Sequence, residues 1–207
     1  RVVVVDYGAG NLVSIEQALT TAGARVCRAA TGDDIGDPDL LVVPGVGAAA
    51  PAMDRLREGG FIGPIRAWID ADRPFLGICV GMQLMESRGL EHDVTEGFGW
   101  TPGDVKPIAP RDPSLKVPHM GWNTLDLRRT HPLLQGLVLG DAGLHAYFVH
   151  SYHLDAERQS DVIATTEHGQ TVTAMVGRDN LAGTQFHPEK SQALGLNLLA
   201  NFLRWRP

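Results

Sequence analysis

The first eighty residues alternate between two apolar periods. Val2–Val5 is a continuous β-branched run of four, the pattern of a strand buried on both faces. From Asn11 the period changes: Leu12, Ile15, Leu19 and Ala22 recur at helical steps, and the run stops at Gly23, a residue suited to the turn beyond a helix end. Residues 24–29 read as a short edge strand, and 40–43 as a central strand running into Pro44-Gly45-Val46-Gly47. Two short helical stretches then reach Ala71. Residues 75–78 form another strand, which leads through Cys79-Val80-Gly81 into a helix containing Met82, Leu84 and Met85.

Past residue 90 the helical period fades, and short strands with turns take over at 104–108, 144–149, 162–166 and 171–176. Residues 181–186 read as a last strand. A closing helix over 191–205 places Leu194, Leu198, Leu199 and Phe202 on one face. The pattern predicts an α/β fold: an open, mostly parallel central sheet flanked by helices, with additional antiparallel strands in the second half. No repeat, low-complexity tract or linker composition interrupts it, so a single domain over 1–207 is expected.

Composition agrees with a globular protein, with 43% hydrophobic and 20% charged residues in a chain of 207. Such a length buries roughly 70% of its unfolded surface, enough for a core without disulfides or structural metals. Eighteen basic residues against 24 acidic ones give a net charge of −6, without a Lys/Arg cluster. That leaves no electrostatic footprint for nucleic acid or an anionic membrane surface, and favours small-molecule or protein partners. The longest apolar runs are about five residues where a membrane span needs about 20. The amino-terminal run is too short for a signal peptide, so a cytoplasmic protein is expected. The chain begins at Arg1 rather than Met, so a few native residues are expected to precede it. The two cysteines, Cys27 and Cys79, are too few for a disulfide scaffold and have no zinc spacing.

Gly77-Ile78-Cys79-Val80-Gly81 is the most informative pentapeptide. A sharp strand-to-helix turn needs glycine on either side of its apex, where the backbone crowds itself, and it pushes the apical side chain out at the carboxyl end of the sheet. A cysteine there meets a helix amino terminus, whose free N–H groups favour a thiolate. Taken alone, the pattern also fits a buried structural cysteine beside turn glycines. Cys27, on an edge strand, lacks these features. A thiolate needs a base, and His187-Pro188-Glu189 supplies a candidate at a second strand end. In an extended backbone Glu189 points the same way as His187 and can orient it, which completes a nucleophile, base and orienter set. Gly47, in the glycine loop after the 40–43 strand, and Val80, directly after the nucleophile, are candidate oxyanion donors. His150 and His153 invite a zinc reading, but without a supporting carboxylate or Cys they would face opposite sides of one strand, so no metal site is expected. His92, His119, His131, His145 and His168 read as surface or satisfied core residues.

These features together resemble the class I, or triad, glutamine amidotransferases along essentially the entire chain. The resemblance rests on Asp6-Tyr7-Gly8-Ala9-Gly10-Asn11-Leu12, Pro44-Gly45-Val46-Gly47, Gly77-Ile78-Cys79-Val80-Gly81-Met82-Gln83-Leu84 and Pro118-His119-Met120-Gly121-Trp122-Asn123. Tyr147-Phe148-Val149-His150-Ser151-Tyr152 and Gly183-Thr184-Gln185-Phe186-His187-Pro188-Glu189-Lys190-Ser191 complete it. Within the family the motifs look like the branch that serves imidazole glycerol phosphate synthesis. The resemblance implies hydrolysis of L-glutamine to glutamate and ammonia without a cofactor. It implies a heterodimer in which ammonia passes through a channel to the cyclase subunit HisF, in a step of histidine biosynthesis.

The same resemblance gives Cys79, His187 and Glu189 as the triad and Gly47 and Val80 as oxyanion donors. Gln83, Ser151 and Tyr152 become glutamine contacts, and Asn11, Trp122 and Lys190 candidates for the partner face. The motifs run from residue 6 to residue 191 of 207 and leave no room for an ammonia-accepting domain, so a separate synthase chain is expected. Two alternatives stand beside this reading. One is a glutaminase of pyridoxal phosphate, aminodeoxychorismate or GMP synthesis, and the other a non-catalytic scaffold of the same fold.

Overall fold

A computed structural model describes residues 1–91 and 93–207. In chain order the elements begin β1 (Val2–Val5), α1 (Leu12–Thr21), β2 (Val26–Ala29), β3 (Leu40–Gly45), α2 (Ala49–Glu58), α3 (Ile62–Asp70), β4 (Phe75–Cys79) and α4 (Val80–Gln83). Short strands follow: β5 (Arg88–Gly89), β6 (Thr95–Glu96), β7 (Gly103–Pro107), β8 (His119–Asn123) and β9 (Asp126–Leu127). The chain ends with β10 (Ala146–His150), β11 (Tyr152–Ala156), β12 (Val162–Glu167), β13 (Thr171–Arg178), β14 (Leu181–Thr184) and α5 (Gln192–Arg204).

Among the described residues the main sheet has the order β2-β1-β3-β4-β14-β13-β12-β9. Its first five strands are parallel and the rest antiparallel. Every residue of β1, β3 and β4 is buried, which is why these strands read as unbroken apolar runs. The chain winds outward from β1 to β2 through α1, and in the opposite direction from β3 to β4 through α2 and α3. Right-handed crossovers therefore put α1 on one face and α2 and α3 on the other. α5 packs against α1, burying Leu194, Leu198, Leu199 and Phe202 as its periodicity predicts. The point where the winding reverses lies between β1 and β3, and strand ends beside such a point are where open α/β sheets bind ligands. The second half adds two smaller sheets, β10-β8 and β11-β7-β5-β6.

Three sequence expectations need correction. The helix after Cys79 is a single turn, Val80–Gln83, and leaves out Leu84 and Met85. The carbonyls that would propagate it are taken by another segment: Phe98 N–H donates to Leu84 O and Trp100 N–H to Met85 O, both at 2.8 Å. The last strand ends at Thr184 rather than at Phe186. His150 and His153 do not share a strand; they belong to β10 and β11, which lie in different sheets, so their relative facing does not follow period-two alternation.

Candidate active site

Cys79 closes β4, where it pairs with Gly45 of the parallel neighbour β3. Its backbone adopts φ 55°, ψ −110°, outside the ordinary regions for a residue with a Cβ, a strain that costs about 1–3 kcal/mol. The flanking glycines explain how so tight a turn is built. A Cβ on Gly77 would stand 2.5 Å from Gly81 O, and one on Gly81 would stand 1.9 Å from Val43 O. No other residue fits at either position, so the Gly-x-Cys-x-Gly spacing is a steric requirement of the turn.

His187 follows β14, the parallel neighbour on the other side of β4. Its Nδ1 lies 2.8 Å from Glu189 Oε1, and the two side chains are 3% and 1% exposed. The expected pairing is present, but by a different geometry. Only His187 is extended; Pro188–Lys190 is a 3-10 turn, which folds Glu189 back under the ring. The turn is fastened at several points: His187 N–H donates to Tyr147 O at 2.9 Å, Ser191 Oγ donates to His187 O at 2.6 Å, and Tyr147 N–H donates to Ser191 Oγ at 2.9 Å. Burial pulls the imidazole towards its neutral form, but the neighbouring Cys79 sulfur and the hydrogen-bonded Glu189 carboxylate favour the charged form more strongly, raising its pKa to about 9. Near neutral pH the ring is therefore an imidazolium beside the cysteine sulfur.

Cys79, His187, Val80, Gly47, Gln83, Ser151, Tyr152 and Lys190 line one cavity of about 550 Å3. Gly47 has φ +86°, a conformation that glycine adopts without strain. Val80 is the first residue of α4, so helix bonding does not consume its N–H. Gln83 Nε2 donates to Tyr152 O at 3.1 Å and to Gln185 Oε1 at 2.9 Å. The Ser151 carbonyl accepts from Ile108 N–H at 2.8 Å.

Of the proposed partner-face residues, Lys190 and Trp122 both lie against Tyr147. Trp122 is 48% exposed and meets Tyr147 edge-on at 5.6 Å, while Lys190 Nζ lies 5.8 Å from the same Tyr147 ring. Asn11 is exposed at the start of α1. Cys27 is half-buried on edge strand β2, away from the cavity lining.

Sequence reasoning missed two residues beside the sulfur. Gln185 is fully buried, and its Nε2 donates to Cys79 Sγ at 3.7 Å. Its place two residues before His187 was the available signal, since alternation turns both side chains the same way. Tyr7 donates its hydroxyl to Pro44 O at 2.8 Å; burial, together with the charge of Cys79, holds its phenol firmly protonated. No local pattern announces the Tyr7 contact.

Among the described residues no group of three or more His, Cys, Asp or Glu side chains could hold a metal ion, and no helix is long and apolar enough to cross a membrane. His119, His131, His150 and His153 are buried, His168 is half-buried and His145 exposed. His92 lies outside the described residues.

Comparison with known proteins bears on the same residues. Residues 3–205 match the family described as glutamine amidotransferase class-I. Proteins named imidazole glycerol phosphate synthase subunit HisH from Mesorhizobium japonicum and Rhizobium meliloti are 55% and 56% identical, over 100% of both chains in each pair. The corresponding protein of Agrobacterium fabrum is 53% identical, again over 100% of both chains. A solved glutamine amidotransferase superposes with a TM-score of 0.75 at 17% identity, covering 99% of this chain and 98% of its own. A putative GMP synthase subunit from Thermoplasma acidophilum gives 0.70 at 20% identity, covering 98% and 92%. At those identities the two structures bear on the fold alone, and both share this α/β architecture. The chain belongs to the class-I glutamine amidotransferases and, within them, groups with the HisH subunits of imidazole glycerol phosphate synthase.

Proposed function

We propose that this chain hydrolyses L-glutamine to glutamate and ammonia in histidine biosynthesis, with Cys79 as nucleophile, His187 as acid and base, and Glu189 as orienter. The observation that carries this reading is the Cys79 sulfur, carried by a strained turn into the same cavity as His187, whose Nδ1 is fixed 2.8 Å from the Glu189 carboxylate. The Cys79 thiolate attacks the side-chain amide carbon, and the carbonyl oxygen becomes an oxyanion facing the Val80 and Gly47 amides. Each such donor is worth about 10²–10³ in rate. The C–N bond then breaks, and the imidazolium Nε2 proton goes to the departing nitrogen, releasing ammonia and leaving a thioester on Cys79. The neutral ring takes a proton from water, the hydroxide attacks the thioester, and collapse of the second oxyanion returns glutamate and the thiolate. Gln83, Ser151 and Tyr152 are assigned to holding the substrate's amino-acid end.

The ammonia is passed to the cyclase subunit HisF in a heterodimer. Supporting this, Val46, Val117, Met120 and Trp122 are large apolar side chains left exposed, and Val46 and Pro118 lie on the cavity lining itself. Asn11, Trp122 and Lys190 belong to the same docking face. One variant tests the assignment: Cys79→Ala is expected to lose glutamine hydrolysis while still binding the cyclase in a pull-down. Hydrolysis retained in that variant overturns the nucleophile, and normal hydrolysis with no cyclase binding by the wild type overturns the partner.

A further inference from the structure

In the wall of the cavity lies a row of buried imidazoles that the proposed triad does not use, with His150 on the lining itself. His119 and His150 are register partners across the β8 and β10 ladder, with His119 Nδ1 3.0 Å from His150 Nε2. At one end of the row His150 Nδ1 lies 2.8 Å from the Tyr152 carbonyl oxygen. At the other end His119 Nε2 lies 3.1 Å from Asn123 Nδ2.

The ends of the row determine where its protons are. A carbonyl only accepts, so His150 Nδ1 carries a hydrogen; in a neutral ring its Nε2 must then accept, and His119 Nδ1 donates to it. His119 Nε2 accepts in turn from the Asn123 amide. That amide cannot be inverted, because its Oδ1 accepts from Thr124 N–H and its Nδ2 also donates to Glu167 O, both at 2.9 Å. Every bond therefore runs one way, from Asn123 through His119 and His150 to the Tyr152 carbonyl. Protonating either ring would set two N–H donors against each other. Burial keeps both rings neutral, pulling His119 down to about 4 and His150 to about 3. The titratable neighbours are His168, stacked on His119 with ring centroids 4.3 Å apart, and His153.

The row ends on the carbonyl oxygen that also receives Gln83 Nε2. Both lone pairs of that oxygen are thus used, one by the imidazole row and one by a side chain that lines the cavity and bonds to Gln185, the donor to the Cys79 sulfur. We propose that His119 and His150 are positioning residues, a one-directional hydrogen-bond row that fixes the Tyr152 carbonyl and, through it, the Gln83 amide at the substrate end of the cavity. The proposal deepens the glutaminase reading and rests on it for the identity of the substrate.

The test is steady-state glutamine hydrolysis by the complex with the cyclase, comparing wild type with His150→Ala, His150→Asn and His119→Phe. Removing the last donor of the row in His150→Ala raises KM for glutamine about tenfold while kcat changes by less than about twofold. His150→Asn, whose amide can still donate towards Tyr152, recovers part of that loss. His119→Phe keeps the stacking on Phe148 and His168 but breaks the row, and raises KM by about threefold. Nitrogen-15 NMR of the wild-type imidazoles supplies a second readout, expected to show the Nδ1–H tautomer in both rings at neutral pH. A wild type with normal kinetics and variants of unchanged KM overturns the proposal, as does an Nε2–H tautomer in either ring. A wild type that does not hydrolyse glutamine overturns the glutaminase reading instead, and the tautomers still decide the row. If His150→Ala does not fold, His119→Phe and the spectrum decide.

Discussion

Near neutral pH the His187 ring holds its proton because two neighbours, Cys79 and Glu189, favour the charged form more than burial opposes it. A raised pKa contributes stability in full below about 6.5, the unfolded value, and that contribution is lost as pH rises through about 9. The same proton is the one delivered to the leaving nitrogen, so kcat/KM for glutamine is expected to fall on the alkaline side with an apparent pKa near 9. Glu189→Gln removes the carboxylate's share. The alkaline limb of its pH–rate profile should move to lower pH and kcat should drop about 10²-fold or more, and an unmoved limb would contradict the orienting role. Buried neutral histidines act with the opposite sign. His119 and His131 are pulled to about 4 and His150 to about 3, so the stability they contribute is full above about 6.5 and is lost as pH falls towards these values. Thermal denaturation should therefore show Tm falling between pH 6.5 and 4, and His131→Phe should flatten part of that fall. Cys79, His187 and Glu189 were legible in the sequence because each sits in a local motif with a steric or orienting reason. Gln185 and Tyr7 were not, since their contacts with Cys79 and Pro44 cross between strands, and only the spacing of Gln185 from His187 hints at either.

At the scale of elements, the site is assembled by the ends of three neighbouring parallel strands, β3, β4 and β14, and held from behind by α5. The apolar runs of β1, β3 and β4 and the one-sided apolar pattern of α5 could be read directly, because burial on both faces of a strand, or on one face of a helix, leaves a periodic trace. What could not be read was where backbone carbonyls find partners: α4 stops after one turn because the 98–101 segment takes the next acceptors. Glu189 likewise reaches His187 through a 3-10 turn that its residues do not announce. α5 packs so closely on this turn that a Cβ at Gly195 would stand 1.7 Å from Pro188 O. Gly195→Ala is therefore expected to displace the His187 turn, costing about 2–3 kcal/mol in denaturant unfolding and lowering kcat more than it raises KM. Gly81→Ala should destabilise by a similar amount through the contact with Val43 O, and a variant with wild-type stability and activity would show that the turn can relax.

At the scale of the whole molecule, one cavity joins the Cys79 turn, the His187 turn and the Ser151-Tyr152 segment, and the exposed Val46 lies on its lining. The fold class followed from strand and helix alternation. The antiparallel extension and the two small sheets followed only as short strands without a pairing order, because pairings such as β7 with both β5 and β11 join residues far apart in the chain. Exposed Val46 on the lining, with Val117, Met120 and Trp122 also exposed, is apolar surface that a docked ammonia acceptor would cover, so hydrolysis should rise strongly when the cyclase and its nucleotide ligand are added. A freely active isolated subunit would count against that coupling. The central claim is covalent catalysis by Cys79, and the most direct measurement is intact-protein and peptide mass spectrometry of the complex quenched during turnover with glutamine. The account predicts a glutamyl adduct on the peptide carrying Cys79, absent from Cys79→Ala; turnover with no adduct, or an adduct on Cys27, would contradict it.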